Sequence, residues 1–363
     1  MSGIWGKNIK LSIFGESHGK AIGIVIDGLP SGIKLDHEYI SKEMKRRAPG
    51  RSKTATPRKE GDNYEILSGY FNGRTTGTPL SAAIYNTNQR SRDYEATKSI
   101  MRPGHADYTG HVRYSGFNDY RGGGHFSGRL TAPLVFAGAI AKQILSNKNI
   151  VIGSHIKSIG DIEDRSFDGV NIEASLLKEL TGKEFSVIDP EKGKEMKDYI
   201  LKIKEEKDSV GGVIEAAVVN LPRGIGSPFF DSVESKLSHL LFSIPAVKGV
   251  EFGAGFDITK MKGSSSNDEL YIRKEEISAY SNNNGGIVGG ITNGMPIIFR
   301  VAIKPTPSIG KLQRTVDIEK GINTEIEIEG RHDPCIVPRA VPVIEAVCAV
   351  ALIDLMMEKG GLI

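Results

Sequence analysis

Two stretches of this chain are apolar on nearly every side. They are LTAPLVFAGAIAKQIL at 130–145, free of charge until Lys142, and PVIEAVCAVALIDLMM, which runs from Pro342 to Glu358 and stops at Gly360 and Gly361. A surface helix keeps a polar face, so helices apolar all round have to lie in the core. Pro133 suits the first turn of the first one, where a missing N–H costs least. Any fold for this sequence is built around two buried helices.

The rest of the chain intersperses strands and helices. NIKLSIF (8–14) and AIGIVID (21–27) predict strands on either side of a GESHG loop, and Asp36 predicts the N-cap of a helix through about Arg47. Residues 51–63 are polar without any apolar period, which predicts a mobile loop. Strands are expected near 64–68 and 80–85, followed by a Gly- and charge-rich segment from Arg90 to Gly128. Further on, 190–208 reads as an exposed amphipathic helix and Ser232–Ser243 as another helix, closed by Pro245. Strands are predicted over 210–221, 248–256, 295–305 and 323–330. Hairpin-like pairs outnumber helical crossovers, which favours an α+β fold over a doubly wound sheet. No low-complexity linker divides the chain, so 1–363 is read as a single domain.

Lys and Arg number 47 against 44 Asp and Glu, a net charge of +3, and 39% of residues are hydrophobic. That balance excludes a disordered chain and gives little non-specific attraction for nucleic acid. No apolar run approaches the ~20 residues of a membrane helix. Lys7 and Lys10 interrupt the N-terminal apolar residues, so no signal peptide is expected and a cytoplasmic location is. Cys335 and Cys348 form no C-x-x-C pair, which suggests two small buried residues and no metal site. Eleven of the eighteen arginines fall between Arg46 and Arg129. Their guanidinium groups suit bidentate capture of phosphate or carboxylate, although a solvated basic face would look the same.

Six segments have the composition of a site. GESHG (15–19) fits the G-x-S-x-G pattern of a nucleophile elbow, but the stretch after it reads as strand where an elbow needs helix. A hairpin turn is the plainer reading. RPGHADYTG (102–110) places His105 between Arg102 and Asp107, where a carboxylate can orient the imidazole or raise its pKa. DYRGGGHFSGRLTAP (119–133) leads three glycines and Ser127-Gly128-Arg129 into the start of the first buried helix, a setting for an anion. NNNGGIVGGITNG (282–294) and KPTPSIGK (304–311) offer backbone amides, Lys304 and the hydroxyls of Thr306 and Ser308 to a flat or phosphorylated ligand, or are turns between strands. GRHDPCIVPRAVP (330–342) sets Arg331, Asp333 and Arg339 just before the second buried helix.

In this order the segments GESHG, GHADYTG, DYRGGG with SGRLTA, AVKGVEFGAGF, NNNGGIVGG, KPTPSI and GRHDPC with RAVP resemble the chorismate synthase family over essentially the whole chain. The resemblance implies core helices sandwiched between antiparallel β-sheets, usually in a homotetramer. It also implies a lyase of the shikimate pathway, which makes chorismate by anti 1,4-elimination of phosphate from 5-enolpyruvylshikimate 3-phosphate. Reduced FMN is needed although no net redox change occurs.

By the same resemblance His18 protonates the departing phosphate, His105 acts on the reduced flavin, Asp333 keeps a flavin nitrogen available, and Ser17 and Ser127 relay protons. Positions matched to FMN are His125, Phe126, Ser127, Ala246, Gly289, the run Lys304, Pro305, Thr306, Pro307 and Ser308, and Arg331. Arg47, Arg129 and Arg339 are matched to substrate, with Arg47 and Lys53 also placed for a reduced nicotinamide (NADPH) donor. A chain without a large insertion suggests a separate flavin reductase or an anaerobic supply of reduced flavin. Many relatives carry Arg-Ser where this chain has His125-Phe126, and an acidic residue in place of Leu130. Three other readings make distinct predictions: a Ser17 hydrolase needing no flavin, a flavin or phosphate binder without turnover, and a nucleic-acid surface at Lys45–Lys59.

Overall fold

The computed structural model describes residues 3–50, 61–87, 98–273, 275–328 and 333–360. The first sheet uses β1 (Ile4–Trp5), β2 (Lys10–Gly15), β3 (Ala21–Asp27) and β4 (Glu65–Ser68). A small hairpin of β5 (Tyr70–Phe71) and β6 (Arg74–Thr75) leads to its last member, β7 (Leu80–Tyr85). All its pairings are antiparallel, in the order β1-β2-β3-β7-β4. The second half supplies β8 (Val151–Ile159), β9 (Ile162–Glu163), β10 (Gly212–Val219) and β11 (Val247–Phe252). Two hairpins follow, β12 (Leu270–Arg273) with β13 (Glu276–Ala279) and β14 (Ile287–Val288) with β15 (Ile291–Thr292), before β16 (Ile297–Ile303). The second antiparallel sheet has the order β11-β16-β10-β8-β9. A last hairpin joins β17 (Gln313–Asp317) to β18 (Ile322–Ile326).

The helices are α1 (His37–Arg47), α2 (Asp107–Arg113), α3 (Thr131–Ser146), α4 (Ala174–Gly182), α5 (Pro190–Glu205), α6 (Val233–Ser243), the single turn α7 (Gly263–Ser266) and α8 (Val337–Glu358). α3 packs on β3 and β7 of the first sheet, α8 on β8 and β10 of the second, and the two helices pack on each other with α1 and α6 alongside. The result is the expected α+β sandwich of core helices between antiparallel sheets. Every residue of α3 except Gln143 and Ser146 is buried. The two helices are in close contact at Gly138, where a Cβ would lie 2.2 Å from Ala346 Cβ and 2.3 Å from its Cα. Charges inside this apolar layer are matched. Lys142 and Arg46 both bond to Glu43 and Glu345, and Ser154 donates to Glu345.

Local signals hold where the chemistry is local. Asp36 caps α1, accepting from the Tyr39 N–H at 3.0 Å, and Ser232 caps α6 by accepting from the Ser235 N–H. α8 departs from expectation: it begins at Val337, so Pro338 fills the first-turn position and Pro342 lies inside the helix. Its 22 residues do reach the length and composition of a membrane span, and the second sheet with α1, α3 and α6 buries it instead. Both cysteines are buried thiols, with Cys335 pushed up to about 12 by burial. The sequence reading passes over β8 because polar residues occupy both its faces: Ser154 meets Glu345 in the core, while His155 faces outward, buried between Asp164 and Glu215.

Candidate active site

GESHG is the connection between the antiparallel strands β2 and β3, so the strand–turn–helix setting of a nucleophile elbow does not exist here. Gly15 turns the chain at φ +98°, a backbone region that favours glycine. The Ser17 and His18 side chains are buried. Ser17 Oγ gives its one proton to the Arg121 carbonyl at 3.2 Å. It therefore accepts from His18 Nδ1, also at 3.2 Å, which leaves Nε2 as the nitrogen through which His18 exchanges a proton.

The loop 119–127 folds back over this hairpin. Its glycines Gly122, Gly123 and Gly124 have φ of 60°, 94° and 52°, and the Gly124 carbonyl accepts the Ser17 N–H at 3.1 Å. A Cβ on Gly122 would lie 2.1 Å from the His18 ring, and one on Gly123 would lie 3.1 Å from His105 Nε2. The glycine turn thus separates the two histidines and brings both to one place. Arg121 clamps Asp119 with two side-chain bonds, which hold that carboxyl below its usual range.

His105 Nδ1 lies 2.6 Å from Asp107 Oδ1, and Arg102 grips both oxygens of Asp107 at 2.7 Å. Burial pushes the Asp107 carboxyl up, but the bonds from Arg102 and His105 outweigh it and hold the group well below the ordinary carboxylate range. A cavity of about 180 Å³ opens behind this pair, lined by Lys98, His111, Asn118 and Tyr120 among others.

The three arginines matched to substrate are joined through carboxylates. Asp62 accepts from Arg47 Nε at 2.6 Å with one oxygen and from Arg129 Nη1 with the other, both in buried surroundings. Arg129 Nε donates to Asn86 Oδ1, whose amide in turn holds the Glu16 and Gly19 carbonyls around His18. Arg339 Nε donates to the Arg47 carbonyl at 3.1 Å while its Nη1 pairs with Asp333. Arg46, Arg47, Arg102 and Arg129 have side chains between 2% and 11% exposed, which excludes a solvated basic face for these four. Ser127 accepts from the Arg129 N–H at 3.2 Å and so caps the turn that enters α3.

The 304–308 segment closes the circuit. The Lys304 ammonium donates to the Gly104 carbonyl, a Cβ on Gly104 would touch Pro307, and Thr306 Oγ1 donates to the Asp333 carbonyl at 3.0 Å. Pro305 packs beside Gly211 and Ser308 is buried. Ala246, at φ +74°, accepts the Lys304 N–H. His18, His105, Asp333, Ser17, Ser127, Arg47, Arg129, Arg339, Ala246 and the 304–308 run are therefore linked through direct contacts.

Three other positions sit differently. His125 turns its Nδ1 to the Gly15 carbonyl at 2.8 Å, and Phe126 packs against Gly110 and Tyr114 at α2. Gly289 lies in the β14–β15 turn beside the start of α6, where the Val233 N–H meets the Gly290 carbonyl, whereas Ala246 follows the other end of that helix. Lys53 and Arg331 lie outside the described residues, as does most of the loop expected over 51–63. The sequence reading passed over Asp62 and Asn86. Both stand in short polar runs, and only their distant arginine partners mark them.

The arrangement offers two imidazoles for proton transfer beside a group of guanidiniums for anions. Comparison with known proteins agrees on its kind. The family model described as chorismate synthase matches residues 9–357. The chorismate synthase of Methanocaldococcus jannaschii is 48% identical over 99% of this chain and 97% of its own length, and that of Dehalococcoides mccartyi is 46% identical over 99% and 98%. A crystal structure of a chorismate synthase superposes with a TM-score of 0.77 at 34% identity, covering 98% of this chain and 93% of that one. With fold and sequence matched from end to end, the chain belongs to the chorismate synthase family.

Proposed function

We propose that this chain catalyses the chorismate synthase reaction, the anti 1,4-elimination of phosphate from 5-enolpyruvylshikimate 3-phosphate, with reduced FMN as cofactor. The observation that carries the reading is the placement of His18 and His105 on either side of the Gly122–Gly124 turn, next to Arg47, Arg129 and Arg339. An elimination that expels phosphate needs fixed cations for a multiply charged substrate and a proton for the leaving group. Arg47, Arg129 and Arg339 bind the anions, and His18 delivers the proton from Nε2, its Nδ1 being held by Ser17. Ser17 and Ser127 complete the polar lining at the two turns.

The residues present fit FMN. An ammonium at Lys304 and a hydroxyl at Ser308 are donors suited to a phosphate monoester, Thr306 having given its proton to the Asp333 carbonyl, and the segment adjoins the His105 loop through Gly104. The side-chain-free turn at Gly122 and Gly123 lets both imidazoles pack against its backbone. FMN, when bound in its reduced form, supplies the electron-rich ring that assists C–O cleavage. By resemblance Lys304–Ser308, Ala246, Ser127, His125 and Arg331 would hold it, His105 would offer an imidazole for proton exchange, and Asp333, which pairs with Arg339, would keep a flavin nitrogen available. Phe126 and Gly289 belong to the same assignment by resemblance, as do Arg47 and Lys53 as contacts for a reduced nicotinamide donor; a separate reductase is the alternative source of reduced flavin.

The continuous core shared by both sheets supports treating the chain as one domain. Exposed Phe229, Phe230 and Phe256 support self-association into a homotetramer, and two unpaired buried thiols accord with a reducing, cytoplasmic setting. The test is anaerobic turnover of 5-enolpyruvylshikimate 3-phosphate, read by chorismate absorbance and phosphate release, with dithionite-reduced and with oxidised FMN. Turnover with reduced FMN alone is expected. Substrate and flavin binding without turnover would overturn the reading. Replacing His18, His105 or Asp333 by Ala should slow turnover by roughly 10²-fold or more with flavin binding retained.

A further inference from the structure

We infer that Asp107 is a positioning residue for His105: it fixes the imidazole as the Nδ1–H tautomer, so that proton exchange is confined to Nε2, and Arg102 locks the carboxylate in that task. The inference rests on the reading of His105 as a proton carrier and names what prepares it.

The two contacts of His105 Nδ1 favour opposite tautomers, and the shorter one decides. His105 Nδ1 is 2.6 Å from Asp107 Oδ1 and 3.2 Å from Arg102 Nη2. If Nδ1 were bare, its lone pair would face a carboxylate oxygen at the shorter of the two distances, which is repulsive. A proton on Nδ1 turns that contact into a short charge-assisted bond, the form such distances take. Arg102 supplies only donors, and they saturate Asp107 from three sides: the backbone N–H and Nε reach Oδ2, and Nη2 reaches Oδ1. With Nδ1 committed, Nε2 is the exchanging nitrogen, and it is the atom set against Gly123 in the turn shared with His18. When Nε2 takes a proton, the imidazolium remains paired with Asp107.

A purely structural role for Asp107, tying residues 102–107 into the entry of α2, makes a different prediction. In Asp107→Asn the single amide oxygen is claimed by the Arg102 N–H and Nε–H, which turns the NH₂ group toward His105. That geometry forces Nδ1 to accept and moves the ring proton to Nε2. A merely structural residue would leave the tautomer unchanged.

The experiment is NMR of the ring nitrogens in chain labelled with ¹⁵N-histidine, with His105 assigned by the signals lost in His105→Gln, together with steady-state kinetics. The wild-type chain should show neutral His105 protonated at Nδ1. Asp107→Asn should show it protonated at Nε2, with kcat down by about 10²–10⁴-fold, the scale of a wrong tautomer in other carboxylate–histidine pairs, and KM within about threefold. Asp107→Glu should restore Nδ1–H and recover kcat to within about tenfold.

An Nε2–H ring in the wild-type chain, or an unchanged kcat in Asp107→Asn once the tautomer has switched, would overturn the inference. Should Asp107→Asn fail to fold, the wild-type and Asp107→Glu spectra and rates decide the matter. Failure of the functional reading is separate: it would appear as absent turnover in the wild-type chain whatever its tautomer.

Discussion

Gly138→Ala sets two physical effects against each other, and the fold decides which wins. Alanine is the better helix former by ~1 kcal/mol in a helix interior, so propensity alone predicts a more stable protein. The structure predicts the reverse. The new methyl would lie 2.2 Å from Ala346 Cβ and 2.3 Å from its Cα, and the backbone of a buried helix cannot turn aside as a flexible side chain would. Restoring an ordinary contact of ~3.5 Å requires α3 and α8 to part by about 1.2 Å. A gap of 0.5–1 Å already forfeits roughly a quarter to a half of each dispersion contact along the seam. Overpacking of this kind costs about 3 kcal/mol, the upper part of the usual range, and after the propensity gain a net loss of about 2 kcal/mol remains.

Urea unfolding followed by circular dichroism should show a midpoint lower by roughly 0.7 M, at an m-value of about 3 kcal/mol/M. Gly182→Ala is the control. Gly182 ends α4 with nothing within 4 Å of its added Cβ, so it should be neutral or stabilising by up to ~1 kcal/mol. The substitution also reaches the site, because Arg129 precedes α3 and Arg339 lies in the first turns of α8. Parting the helices by about 1 Å should raise KM for substrate by tenfold or more, since misplacement on this scale can cost ~10²-fold. A Gly138→Ala protein as stable as wild type would refute the reasoning.

Two further outcomes follow from the site and the second sheet. Gly122→Ala forces a φ of 60° on an L-residue and drives a methyl to 2.1 Å from the His18 ring; turnover should fall by ~10²-fold with circular dichroism unchanged, and full activity would mean that the turn does not set the histidine. His155 is buried, which lowers its pKa, but bonds to Asp164 and Glu215 outweigh burial and raise it overall. Its stabilising contribution is therefore complete below the unfolded value of ~6.5 and fades as pH rises through the folded value. The stability advantage of wild type over His155→Gln, measured by urea midpoint, should shrink on going from neutral to alkaline pH; an advantage that grows with pH would refute it.

The sequence was legible where a residue acts on its neighbours. Asp36 and Ser232 cap the helices they precede, Gly15 turns the β2–β3 hairpin, and the uniform apolarity of 130–145 announces α3. It was opaque where the partner is remote. β8 hides its core face because Ser154 points inward to Glu345, 191 residues away, and His155 outward to Glu215, 60 residues away. Asp62 looks like any acid in a polar run until Arg47 and Arg129 arrive from two helix ends. Phe126 could be stacking or packing by sequence, and only the placement of α2 shows it against Gly110 and Tyr114.

The helical layer carries two groups of buried charge, and their positions tell them apart. In the deeper one, Arg46 and Lys142 each pair with Glu43 and with Glu345, so two cations meet two carboxylates and Ser154 takes a further oxygen. Such a group is closed: it answers its own desolvation penalty, and it resists the entry of any further ion. At the helix ends Asp62 bridges Arg47 and Arg129, Asp333 pairs with Arg339, and Arg339 also donates to the Arg47 carbonyl, so one connected set of bonds holds the three guanidiniums. The two groups share α1 and α8, with Arg46 and Arg47 adjacent in sequence yet in different groups. The closed group fixes α1 against α8 and thereby holds the guanidiniums at the helix ends at a set spacing, the condition guanidiniums must meet to engage two anionic groups of one ligand at once.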